Sequence, residues 1–121
     1  MVAEDDAAPV HGPFARDFRW VQLPDWPHGP IALSKMQAAV FQALWAFAGA
    51  EQEAVAIMAK AGSGSQKPID VFKVKARHKG DPQYEGPRYA YRRLVVTNRR
   101  TGTYALPCAR PGYRAPELAE G

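Results

Sequence analysis

The residues best suited to chemistry are cations, and they are bunched. Lys67, Lys73, Lys75, Arg77 and Lys79 fall within one stretch, and Arg92, Arg93, Arg99 and Arg100 follow in a second. Residues 66–114 hold twelve Lys/Arg against three Asp/Glu, a net +9, whereas residues 1–65 hold four against seven, a net −3. A block this basic within a chain of net charge +4 suits a polyanionic partner, because clustered ammonium and guanidinium groups neutralise phosphates. A solvated basic surface is the plainer alternative.

Catalytic patterns are missing. Cys108, the single cysteine, follows Pro107 with no histidine close in sequence, so it reads as a packed strand-end residue, not a nucleophile. His11, His28 and His78 lack metal-ligand spacing. Gly62-Ser63-Gly64 is not a phosphate loop, since no Lys-Ser/Thr follows at the required place. A non-enzyme without cofactor, metal or small-molecule ligand is therefore expected. No apolar run approaches the roughly 20 residues of a membrane span, and the acidic start Glu4-Asp5-Asp6 is unlike a signal peptide. The expected setting is cytoplasmic.

The elements that must position the cations can be read in order. Residues 1–13 are expected to be a disordered acidic tail, residues 14–110 one domain, and residues 111–121 a second tail. Phe18–Leu23 is rich in strand formers, Pro24 to Pro30 forces a loop, and Ile31–Leu33 fits a short partner strand. Ser34 with Gln37 fits a capping box. Met36, Val40, Leu44 and Phe47 then recur at helical spacing, with Phe41 and Trp45 to one side and Gly49 as a stop. Glu51, Gln52 and Glu53 begin a second, short helix that buries Val55 and Met58 and ends at Gly62.

The stretch from Gln66 to Lys79 supports two periods. Pro68 suits a first helical turn, and Ile69, Phe72 and Ala76 share a helical face, which favours a helix over Pro68–Lys75. From Phe72 to Lys79, however, neutral residues alternate with Lys73, Lys75, Arg77 and Lys79, as in a strand with a basic face. Gln83–Pro87 reads as a loop and Arg88–Thr97 as a strand. Asn98-Arg99-Arg100-Thr101-Gly102 makes a turn, and Thr103–Leu106 returns.

This order resembles a bacterial or prophage-type winged helix-turn-helix domain. Ile31-Ala32-Leu33-Ser34 with Gln37, Val40 and Leu44 resembles the first strand, turn and helix. Ala61-Gly62-Ser63 with Ile69 to Lys73 resembles the turn and recognition helix. Leu94 to Leu106 resembles the wing. The long Lys79–Arg88 segment departs from the pattern. The resemblance implies an α+β fold of three helices with a C-terminal hairpin wing, and a transcriptional regulator or phage-type factor that binds double-stranded DNA. The DNA-binding residues would be Gln66, Lys67, Val71, Lys73, Val74, Lys75, Arg77 and Lys79 on the recognition element. On the hairpin they would be Arg92, Arg93, Asn98, Arg99, Arg100 and Thr101. Val71 and Val74 would meet thymine methyls or pack against the wing or a partner. A homodimer is usual for such an architecture. Two other readings stay open: a protein-docking module, and RNA or polyanion binding through a basic sheet.

Overall fold

The computed structural model describes residues 9–112. Among the described residues the chain is mixed α+β, with three α-helices and two small antiparallel sheets. The expected ends 1–8 and 113–121 lie outside the described residues, but 9–13 do not behave as a tail. Val10 and His11 donate backbone hydrogen bonds to the Phe14 carbonyl, and the His11 ring stacks on Phe18 at 5.0 Å.

Strand formers around Pro-rich loops give only two-residue strands. β1 (Trp20–Val21) pairs with β2 (Ile31–Ala32), with Trp20 opposite Ala32. Helix α1 (Lys35–Ala46) starts at the expected capping box: Gln37 N–H donates to Ser34 Oγ at 3.2 Å, and Ser34 N–H donates to Gln37 Oε1 at 2.9 Å. Its buried face is rotated from the expected stripe toward Phe41, which is fully buried beside Val40 and Leu44, while Met36 is exposed.

The second helix begins later than its acidic residues suggest. Gln52–Glu53 form β3, and α2 spans Ala54–Ala61. Pairing outweighs the dipole preference of these acids: Glu53 sits opposite Thr103, and the neighbouring Glu51 carboxylate accepts from the Thr103 hydroxyl at 2.6 Å. The buried residues of α2 become Ile57 and Met58, leaving Val55 70% exposed. Gly62 closes the helix in the left-handed region at φ 73°.

Between α2 and the third helix, the expected Pro68–Lys75 helix is replaced by two short 3₁₀ turns, Pro68–Phe72 and Ala76–His78. The first anchors the segment by burying Pro68 and Phe72; the Val71 carbonyl accepts from Gln37 Nε2 at 3.2 Å. Lys73 then leaves in an extended conformation. The alternation after Phe72 yields no sheet either, because no strand pairs with this piece.

The largest correction is α3 (Pro82–Leu94), where a loop and a strand are expected. Asp81 caps it by accepting from Gln83 N–H at 3.0 Å, and Pro82 occupies the first turn, where its missing N–H is no loss. Gly86, Pro87, Ala90 and Tyr91 form the buried face at helical spacing. Gly86 is required by the approach to β2: a Cβ there would lie 3.0 Å from Ile31 Cγ2. Pro87 removes the one helical hydrogen bond that would reach the Gln83 carbonyl.

The hairpin is correspondingly shorter. β4 (Val96–Asn98) and β5 (Thr103–Ala105) pair across a turn in which Gly102 has φ 70°, and β3 joins the other edge of β5, giving the order β3-β5-β4. A chain of rings runs through the core. Phe14 to Phe41 is 4.8 Å, Phe41 to Phe72 is 5.2 Å, and Phe72 to Tyr91 is 4.9 Å. Phe72 thus joins the first helix to the third.

Candidate nucleic-acid interface

Burying Gly86, Ala90 and Tyr91 turns the opposite face of α3 outward, and that face carries the exposed Arg92 and the half-buried Arg88 one turn apart. Neither guanidinium has an ion-pair partner among the described residues. Together with Trp26, Glu85 and Tyr89 they line a shallow recess of about 250 Å³. Arg92 and Arg93 in the last turn also complement the negative end of the helix dipole.

The helix is pinned from its flank by the β1–β2 loop. Asp25 accepts from the Tyr89 hydroxyl and from Arg93 Nε, the latter at 3.1 Å, while Trp26 packs on the Tyr89 ring at 4.9 Å. The Tyr89 hydrogen bond holds the Asp25 carboxyl below its ordinary range; burial opposes it, and Arg93 adds a smaller lowering effect, while the same Tyr89 bond raises the phenol of Tyr89. Arg93, expected to face a ligand, is therefore engaged in holding α3 in place.

The other candidate residues separate into three groups. Arg99 and Arg100 are exposed at the hairpin tip, where Asn98 and Thr101 shape the turn. Asn98 Oδ1 accepts from Arg100 N–H at 3.1 Å, and the Thr101 and Thr103 hydroxyls lie 2.6 Å apart. Gln66, Lys67, Lys75, Arg77 and Lys79 are exposed along the irregular segment before α3, and Lys73 pairs with Asp70 at 3.3 Å. Val71 and Val74 are half-buried, and Val71 is tied to α1 through its carbonyl. The recognition element expected at Gln66–Lys79 is thus not a helix; among the described residues the basic helix is α3.

Arg88 escaped the sequence reading because Gly86-Pro87 looks like a break. A signal for it exists: Asp81-Pro82 is a cap followed by a first-turn proline, and residues 86, 87, 90, 91 and 94 repeat at helical spacing. Two groups that resemble reactive ones have structural surroundings. Burial pushes the Cys108 thiol up to about 11, so it stays protonated at neutral pH. The Tyr91 phenol is raised chiefly by burial, then by Tyr104 and Asp70, and its hydroxyl has no hydrogen-bond partner among the described residues. No group of three or more His, Cys, Asp or Glu suited to a metal occurs among the described residues, and no helix there is long and apolar enough to cross a membrane. No family model matches the chain, and no curated protein or solved structure is significantly similar to it.

Proposed function

We propose that this chain is a winged helix-turn-helix protein that binds duplex DNA, with α3 as the recognition helix and the β4–β5 hairpin as the wing. The reading rests on one observation above all: a 13-residue helix, packed on the core through Gly86, Pro87, Ala90 and Tyr91, carries an exposed Arg92 and a half-buried Arg88 one turn apart on its other side. Arginine is suited to bidentate contact with guanine in the major groove, which admits a helix of this width. The order α1, β3, α2, α3, β4–β5 hairpin, with β3 beside the returning β5, supports it. So do Arg99 and Arg100 at the hairpin tip, placed to meet phosphate or a narrow minor groove. The recognition role expected of Gln66–Lys79 passes to α3, and a regulator or phage-type DNA-binding factor remains the proposed class.

RNA or polyanion binding through a basic sheet loses its support, because residues 72–79 form no strand. Protein docking keeps one specific observation: Val96 is 55% exposed on the edge strand β4.

Selection of bound sequences from random duplexes tests the proposal. Wild type should enrich a motif. Arg88→Ala or Arg92→Ala should relax one position of it, at a cost of about 1–3 kcal/mol for a lost base contact. Arg99→Ala with Arg100→Ala should weaken all sequences alike. A pool with no enrichment and no retained duplex would move the function to protein docking.

A further inference from the structure

An open groove of about 470 Å³ lies between the β2–α1 junction and the N-terminal half of α3, separate from the Arg88–Arg92 face. Val74 and Pro87 supply apolar lining, Lys73 and Lys75 supply charge, and His78 and Tyr84 supply rings. Those two rings are already stacked, with centroids 3.7 Å apart and planes 7° from parallel. Tyr84 remains 39% exposed. No carboxylate among the described residues lines the groove. Lys73 shares its charge with Asp70 at 3.3 Å, whereas Lys75 has no ion-pair partner among the described residues.

A fitting ligand must therefore be anionic at one end and flat and apolar at the other. A nucleotide has both properties, since any base offers a π-face to stack and its phosphate attracts ammonium groups. The volume is in the range of grooves that hold one small-molecule-sized group. Bases inside a duplex are paired and already stacked, so their faces are not available to such a slot without unstacking. We propose that this groove binds one unpaired nucleotide, its base extending the His78–Tyr84 stack and its phosphate held by Lys75 and Lys73. The inference rests on the DNA-binding reading only for the source of that nucleotide, an unpaired end or flank beside the duplex gripped by α3. Nothing in the sequence signals the groove, because its lining comes from three separated segments.

The test is fluorescence anisotropy on the full chain with three labelled DNAs. These are a blunt duplex, the same duplex with a three-nucleotide unpaired extension on either strand, and the same extension made abasic. The unpaired extension should tighten binding about tenfold, the ratio that about 1.4 kcal/mol of base stacking gives. The abasic extension should lose most of that gain. Tyr84→Ala should bring the ratio of extended to blunt affinity close to one, and Tyr84→Phe should preserve it. Free dAMP should displace the extended DNA better than inorganic phosphate does. Binding of the extended DNA, displaced by dAMP, without binding of the blunt duplex would retain this site while removing the duplex reading. A ratio near one on both strands would overturn the site, and so would a ratio unchanged by Tyr84→Ala. Phosphate competing as well as dAMP would overturn the base slot.

Discussion

Pro68–Lys79 and Pro82–Leu94 are consecutive in the chain, both start with proline, and both are rich in cations, yet they fold differently. The first becomes two 3₁₀ turns and an extended link; the second becomes a helix of more than three turns. Their apolar residues explain the difference. Pro68 and Phe72 anchor one end of the first segment, and nothing apolar continues the spacing beyond Ala76. In the second, Gly86, Pro87, Ala90, Tyr91 and Leu94 keep one face against the core along most of its length, which outweighs the poor helix propensity of glycine and proline. A cation on the first segment lies on an irregular surface. A cation on the second has a fixed azimuth, which recognition of base edges demands.

This contrast can be broken by mutation. The largest effect should come at Phe72, a ring that joins both segments to α1. Phe72→Ala should cost about 3–5 kcal/mol in denaturant unfolding, because it removes a fully buried ring between Phe41 and Tyr91. A cost below 1 kcal/mol would mean that the first segment only drapes over the core. Gly86→Val should come next, at roughly 1–3 kcal/mol, since the added atoms force α3 away from Ile31. Ser34→Ala should cost about 1 kcal/mol by opening the capping box of α1.

The smallest effect concerns the acid limb. Tyr89 and Arg93 depress the Asp25 carboxyl, so the stabilisation it lends is complete above its ordinary value near 3.8 and is lost as pH falls through the lower folded value. Wild type should therefore exceed Asp25→Asn in stability at pH 6 by less than about 1 kcal/mol, given the exposure of the pair, and the gap should close in strong acid. An equal gap at pH 6 and pH 2 would show that packing of the loop, and not this charge, pins α3.

Much of the N-terminal half was legible because its signals are local. Ser34 and Gln37 fix the start of α1, and Gly62 fixes the end of α2 at the expected place. The β1–β2 pair and the turn at Gly102 were readable from strand formers and turn residues in the same way. What was not legible depends on tertiary partners. Gln52 and Glu53 carry helix-start chemistry but are claimed by β5. Gly86-Pro87 carries loop chemistry, yet the close approach to Ile31 uses the missing side chain of Gly86 inside a helix. The basic block was visible at once. Its division into a rigid helix face with Arg88 and Arg92, an anchoring Arg93 and an irregular lysine-rich segment was not, because composition says nothing of azimuth.

The most direct test of the central claim is titration of labelled duplex DNA at several salt concentrations, with wild type beside Arg88→Ala/Arg92→Ala. If about four to six phosphates are neutralised, log affinity should fall against log salt with a slope on the order of −4 to −5. The double variant should bind more weakly at every salt and lose its sequence preference. Arg99→Ala/Arg100→Ala should instead reduce the slope by about one to two. Undetectable binding of wild type at low salt, or a double variant indistinguishable from it, would contradict the assignment of α3 as the DNA-reading element.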